Sequence, residues 1–190
     1  GRVLGEVRYQ VAAAELAAFI RSSAWREGRL SHTWTAGQAK VEGMLDDYCF
    51  VGLGLVELFK LTGDMALLEW ARELWEAVLS RFRDVEGGGF FETPADSEPL
   101  LLRQKAFFDA ATPSGNGAAA LLGLWLGRYY GRNDWELQAE EVAGQVADHL
   151  LRAVAGFGTI LQVIEFLATP GRELVIVGPP ERRVAFEDAA

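Results

Sequence analysis

Apolar residues recur at helical spacing in six segments of the chain, and turn residues close each segment. This spacing places the apolar side chains on one face of a helix, so the pattern predicts six helices. Their predicted limits are Tyr9 to Ser22, Asp46 to Leu61, Met65 to Arg81, Ser114 to Tyr130, Trp135 to Arg152 and Thr159 to Ala168. Short extended pieces are predicted at Leu30 to Thr35 and Phe90 to Thr93, and ELVIVG near the end predicts one late strand.

Two kinds of helix differ in their polar content. The segments from Phe50 to Phe59 and from Gly117 to Leu126 are apolar nearly all round, which predicts inner helices that are covered on several sides. The helix after each has one charged and one apolar face, as an outer helix does. A turn ending in an aspartate, Asp64 or Asp134, joins each inner helix to its outer helix. We expect both aspartates to cap the outer helices that follow them.

The repeated inner–outer order predicts an all-α fold of about three helical hairpins, either an α-solenoid or an α/α toroid. The long Gly-rich insertion between the repeats favours the toroid, with short β hairpins at the rim. Inner helices of a toroid run parallel, so their N-termini and the loops that enter them collect at one face. Residues 44–48 and 109–116 are these entrances, and they predict the rim of a pocket.

Composition excludes several classes of function. The net charge of −9, without a basic block, predicts no nucleic-acid partner. The longest apolar run is too short to span a bilayer, so we expect no membrane insertion. A single cysteine, Cys49, and no signal-peptide pattern predict a cytoplasmic protein without a disulfide. No metal-ligand spacing or phosphate-binding loop occurs, so we expect no metal and no cofactor.

We expect residues 1–190 to form a single domain. The first predicted helix begins only a few residues after Gly1, which indicates a piece of a longer chain.

Three carboxylates are candidates for catalysis, namely Asp47, Glu92 and Asp109. A glycosidase needs a proton donor and a second carboxylate on either side of the scissile bond, and all three residues can reach the same mouth of a toroid. The alternative is that Asp46 or Asp47 caps a helix and that Asp109 fixes a turn.

Other polar and aromatic residues near the predicted rim are candidates for substrate binding: His32, Trp34, Tyr48, Arg103, Lys105, Ser114 and Asn116. Trp34 and Tyr48 offer flat apolar faces on which sugar rings stack. His32 is the histidine that can reach the mouth. Ser114 and Asn116 can contact sugar hydroxyls, or can instead cap the helix that they begin.

Arg103 and Lys105 alternate with apolar neighbours on an extended segment, so both side chains can point the same way. They could bind a carboxylated or phosphorylated sugar. The alternative is an ion pair with Glu98 or Asp109.

Five stretches of the chain match a known family in their order: LDDYCFVGLGLVELFKLTGD, GGGFFET, LLRQK, DAATPSGN and ELVIVG. The sequence resembles the YyaL-type proteins, relatives of spermatogenesis-associated protein 20. In that family a thioredoxin-like domain precedes an (α/α)6 toroid similar to six-hairpin glycosidases and N-acylglucosamine 2-epimerases. The resemblance implies that this chain is the C-terminal half of the toroid. Two departures stand out: the chain has no CxxC motif, and Ala106 replaces an aspartate that the family usually has.

The resemblance implies a domain that binds or processes carbohydrate, of the glycoside hydrolase or sugar epimerase type if it is an enzyme. Enzymes of the epimerase type use a pair of histidines, and this chain has only His32 and His149, which argues against an epimerase. The alternative function is a non-catalytic scaffold that supports a thioredoxin-like partner domain. An incomplete ring exposes apolar helix surface, so we also expect self-association or pairing with the missing hairpins.

Overall fold

The computed structural model describes residues 4–98, 101–169, 176–179 and 181–183. The helices are α1 (Val7–Ser23), α2 (Leu45–Thr62), α3 (Met65–Arg81), α4 (Gly115–Tyr130), α5 (Asn133–Gln145), α6 (Ala147–Leu150) and α7 (Gly158–Ala168). The strands are β1 (Trp25–Arg26), β2 (Arg29–Thr35) and β3 (Gln38–Glu42), and a 3-10 turn, Val154–Phe157, precedes α7.

The helices form the predicted inner–outer hairpins. Inner helix α2 packs against its outer helix α3, and inner helix α4 packs against its outer helix α5. The inner helices α2, α4 and α7 pack side by side in chain order. Helix α4 has buried residues along its whole length, because it has neighbours on several sides. The predicted toroid-like, all-α fold is therefore confirmed for this part of the ring.

Glycines allow the central helices to approach closely. A Cβ atom on Gly52 of α2 would lie 2.6 Å from Leu122 of α4, and one on Gly123 would lie 2.9 Å from Trp75 of α3. Carbon atoms do not approach to these distances, so a larger residue would push the helices apart. The low helix propensity of glycine is offset here by close packing.

The two aspartates predicted to cap outer helices behave differently. Asp64 is the N-cap of α3, and its side chain accepts a hydrogen bond of 2.9 Å from the backbone N–H of Ala66. The prediction for Asp134 is wrong, because α5 begins two residues earlier than predicted and has Arg132 at its N-cap position. Asp134 lies in the first helical turn and pairs with Arg132 at 2.7 Å.

The predicted helix from Trp135 to Arg152 is broken into α5 and the short α6. Gly144 lies just before the break, where its low helix propensity favours termination. In the described parts of the chain, no helix is long and apolar enough to cross a bilayer.

The small sheet is antiparallel, with strand order β1-β2-β3. Ala36 and Gly37 both have positive φ angles, 51° and 77°, in the two-residue turn between β2 and β3. Strand β2 confirms the predicted extended piece, whereas Phe90 to Thr93 forms only one isolated bridge, between Phe90 and Arg83. The predicted late strand ELVIVG lies largely outside the described residues, and Ile176 and Val177 are described without strand structure.

Candidate functional site

An open cleft of about 380 Å³ lies where chain segments enter the inner helices α2 and α4. The segments before and at the start of α2, the loop after the glycine turn and the loop before α4 supply its walls. Its lining residues are Met44, Leu45, Asp46, Glu92, Thr93, Ala106, Phe108, Ala110, Thr112, Pro113, Ser114 and Gly115. The predicted rim pocket is therefore present, at the two predicted entrances.

The cleft combines two carboxylates with several hydroxyl groups. Asp46 and Glu92 are the acidic lining residues, and Thr93, Thr112 and Ser114 provide the hydroxyls. The buried Oγ1 of Thr93 has no hydrogen-bond partner among the residues that the structure describes.

The side chains of His32 and Asp47 form a pair, and Asp47 directly follows the cleft residue Asp46. The Nδ1 atom of His32, on β2, lies 2.7 Å from Oδ2 of Asp47, which follows the cleft residue Asp46. The same Asp47 oxygen accepts a hydrogen bond of 2.8 Å from the backbone N–H of Met44, so Asp47 also closes the start of α2. The hydrogen bond and charge of Asp47 raise the pKa of His32, and Asp46 adds to the effect. His32 and Asp47 were both predicted at the mouth; they pair with each other, and neither is among the residues that line the cleft.

Asp109 joins the starts of two inner helices. Its Oδ1 accepts a hydrogen bond of 2.8 Å from the backbone N–H of Ser114, and its Oδ2 accepts one of 2.7 Å from that of Thr159. Partial burial opposes ionisation, but these hydrogen bonds outweigh it and hold the pKa of Asp109 below its ordinary value. Both carboxylate oxygens thus serve the structure, as in the turn-fixing alternative, and Asp109 is not among the residues that line the cleft.

The structure contradicts a ligand contact for Asn116, which is completely buried. Its Oδ1 accepts from the backbone N–H of Phe90, and its Nδ2 donates to the carbonyls of Phe90 and Ala106. These bonds fasten two loop segments to α4. Ser114 is the N-cap of α4 and accepts a hydrogen bond from Gly117, and it also lines the cleft.

The two predicted stacking residues lie elsewhere. Tyr48 is completely buried, and its hydroxyl oxygen accepts hydrogen bonds from the backbone N–H of Leu30 and from Arg81. The prediction that a sugar stacks on Tyr48 is therefore wrong. Trp34 is partly exposed but packs edge-on against Phe19 of α1, with ring centroids 5.7 Å apart, and does not line the cleft.

Arg103 and Lys105 point the same way, as predicted, because both lie over the ring of Phe91. Lys105 pairs with Asp84 at 2.6 Å and donates to the carbonyl of Gly88, whereas Arg103 donates to the carbonyl of Thr93. The alternative predicted for these two cations, an ion pair with Glu98 or Asp109, is therefore wrong. Neither cation lines the cleft.

Asp84 organises the glycine turn before the cleft. Hydrogen bonds from the backbone N–H of Gly87 and from Lys105 lower the pKa of Asp84 to about 2. For Arg103, burial lowers the pKa of the guanidinium.

A network of charged side chains joins α3, the small sheet and Asp96, and it was not found from the sequence. Arg81, at the end of α3, pairs with Glu42 of β3 and with Asp96, and it donates to the hydroxyl of Tyr48. Arg29 of β2 pairs with the same two carboxylates. Because these residues come from distant parts of the chain, no local pattern connects them. Among the described residues, no group of His, Cys, Asp or Glu could hold a metal ion.

No protein-family model matches the chain. Spermatogenesis-associated protein 20 of mouse is 28% identical over 194 aligned residues, which cover 96% of this chain and 25% of that protein. The human protein is 30% identical, with coverage of 94% and 24%. The family resemblance is thereby confirmed. The chain spans about a quarter of the length of the curated relatives it matches.

A solved structure shows the same architecture. It is a glycoside hydrolase family 76 mannosidase from Bacteroides thetaiotaomicron, which matches with a TM-score of 0.59 and 16% identity. The match covers 74% of this chain and 38% of the mannosidase chain. The likeness establishes a glycosidase-like toroid fold for the chain.

Proposed function

We propose that the cleft binds a carbohydrate. The observation that carries this proposal is a cleft of about 380 Å³ at the inner-helix entrances that combines carboxylates, hydroxyls and the apolar ring of Phe108. Its volume falls within the range of small-molecule sites, roughly 300 to 1,000 Å³. Sugars present many hydroxyl groups and one apolar ring face, which this combination of residues suits.

The charge of the lining favours neutral or amino sugars as ligands. Asp46 and Glu92 are acidic, and the described lining contains no lysine or arginine. A phosphorylated or carboxylated sugar would meet these carboxylates without a compensating cation, which costs binding free energy. If the domain hydrolyses a glycoside, Asp46 and Glu92 are placed better for acid–base chemistry than Asp109, whose two oxygens are already bonded.

Isothermal titration calorimetry against neutral, amino and acidic sugars tests this proposal. Calorimetry suits the protein because no tryptophan is among the described cleft residues, so fluorescence need not report occupancy. We expect saturable binding of a neutral or amino sugar that Glu92→Gln or Asp46→Asn weakens about tenfold. Glu140→Gln on the exposed side of α5 is the matched control and should bind like the wild type.

The alternative proposal is a scaffold for a thioredoxin-like partner domain, and one specific observation favours it. Asp109 and Asn116 belong to a stretch that matches the family, and both use their polar atoms to hold loops and helix starts together. A scaffold domain would need these contacts to keep its shape, and it would need no bound ligand. Absence of heat for every sugar, in a sample that circular dichroism shows to be folded, would reject carbohydrate binding and favour the scaffold.

A further inference from the structure

Phe108 is the one aromatic side chain among the described residues that line the cleft. It is 56% exposed, although an aromatic ring in water forgoes the free energy that burial would give. Its neighbour Phe107 instead packs against the hydrophobic core. The open ring of Phe108 is therefore available to a molecule that enters the cleft.

A glycine of the 3-10 turn provides the seat for this ring. A Cβ atom on Gly156 would lie 1.9 Å from Cε2 of Phe108 and 2.2 Å from its Cζ, and its three nearest atoms all belong to that ring. Gly156 is not among the glycines with a positive φ angle, so the ring, and not the backbone conformation, excludes a side chain there. Phe157 packs edge-on against the same ring, with centroids 5.5 Å apart. The Phe108 ring thus rests directly on the backbone of the turn.

Hydrogen bonds hold the segment that carries Phe108 in place. The backbone N–H of Asp109 donates to the carbonyl of Gly156 at 2.7 Å, and Oδ2 of Asp109 accepts from the backbone N–H of Thr159. These bonds fasten the residue after Phe108 to the turn on which the ring rests. A ring that is already held in place loses little conformational freedom when a ligand binds, which favours affinity.

We propose that Phe108 is the stacking platform for a pyranose ring in the cleft, and that the preferred sugars present a face of axial C–H groups, as β-glucopyranosides do. This inference rests on the carbohydrate binding proposed above and adds which surface of the sugar is recognised. The C–H face covers the aromatic ring, while hydroxyls at the edge of the sugar are free to bond with Asp46, Glu92 and the hydroxyls of the lining. An open-chain polyol offers similar hydroxyls but no such face.

Calorimetric titration with methyl β-D-glucopyranoside and with sorbitol tests the platform. We expect the wild-type chain to bind the glucoside about tenfold more tightly than sorbitol. Phe108→Ala should lose this preference, and Phe108→Tyr, which keeps an aromatic face, should retain it. In NMR spectra, the axial ring protons on one face of the bound glucoside should shift upfield over the aromatic ring, and Phe108→Ala should abolish that shift.

Gly156→Ala displaces the ring without changing a residue that lines the cleft. The added methyl group takes the space of the far end of the Phe108 side chain, which can swing away while the fold stays intact. We therefore expect the affinity for the glucoside to fall about as far as with Phe108→Ala. Should Gly156→Ala fail to fold, the Phe108 variants decide.

Two matched substitutions outside the cleft control for general effects. Phe19→Ala removes another half-exposed phenylalanine that packs edge-on against an aromatic ring, and Gly144→Ala adds a methyl group where there is open space. Both should bind the glucoside like the wild type, and circular dichroism should show both folded.

Glu92→Gln separates this inference from the carbohydrate proposal. Glucoside binding that Glu92→Gln weakens but Phe108→Ala leaves unchanged would overturn the platform and keep the carbohydrate site. Binding of another sugar but not of the glucoside, or equal affinity for sorbitol and the glucoside, would have the same meaning. Absence of heat for every sugar would reject the carbohydrate site and the platform together.

Discussion

At the scale of single residues, Asp109 connects two helices through one carboxylate. Each of its oxygens accepts a backbone N–H, one from Ser114 before α4 and one from Thr159 at the start of α7. An anion near two helix N-termini is also favoured by the helix dipoles. Asp109 thus fixes the relative position of two inner helices, and with them one wall of the cleft.

Replacing Asp109 by asparagine should destabilise the fold by about 1 to 3 kcal/mol at neutral pH. The asparagine amide has one acceptor oxygen, whereas both carboxylate oxygens of Asp109 accept a backbone N–H. Urea unfolding followed by circular dichroism measures the loss, and Asp148→Asn on exposed α6 is the control. The folded-state pKa is lowered, so this stabilisation is present above the ordinary pKa of the carboxyl and is lost as the pH falls through the lower folded value. Equal stabilities at neutral pH would contradict this role.

At the scale of elements, the first residues of the two outer helices differ in what they contribute. Asp64 satisfies a free backbone N–H of α3, whereas Asp134 forms an exposed pair with Arg132 inside the first turn of α5. The sequences of the two turns look alike, and the difference comes from a helix start that moves by two residues.

The substitution Asp64→Ala should therefore cost about 1 kcal/mol, the usual value for an N-cap. Asp134→Ala should cost roughly half of that or less, because exposed ion pairs contribute little. Thermal unfolding of the two variants side by side measures the difference. A larger loss for Asp134→Ala would show that our assignment of the two caps is wrong.

At the scale of the whole molecule, Arg81 ties together parts of the chain that are distant in sequence. Its side chain is only 10% exposed. The guanidinium contacts the β hairpin through Glu42, the segment after Thr93 through Asp96, and inner helix α2 through Tyr48. Burial raises the pKa of Glu42, but hydrogen bonds from Ser97 and Arg81 outweigh it, so the net pKa is lowered. The hydrogen bond from Arg81 likewise lowers the pKa of Asp96.

Arg81→Met should destabilise the fold by about 2 kcal/mol, since it leaves partly buried acceptors without their donor. Because both carboxyl pKa values are lowered in the folded state, the wild type should lose this stability as the pH falls below their ordinary values, and the variant should lose less. Urea unfolding at several pH values measures this, and hydrogen exchange should show faster opening of β2 and β3. Arg72→Met, whose ion pairs lie within α3, is the control with little expected effect.

The sequence by itself determined the helices, their inner and outer roles and the family resemblance. The limits of α3 are as predicted, and those of α1, α2, α4 and α7 differ by one or two residues, because helical periodicity and capping are local properties. The sequence also predicted the position of the cleft, since the N-termini of parallel inner helices, and the loops that enter them, lie at one face.

Only the tertiary structure decided which side chains reach that cleft. Tyr48 and Asn116 lie in predicted entrance segments yet are buried, and Lys105 pairs with Asp84 across the glycine turn. Asp46 and Glu92 line the cleft instead of Asp109. The orientation and partners of a polar side chain depend on atoms contributed by distant segments. Local periodicity therefore predicts where a helix lies in the chain but not what its polar residues contact.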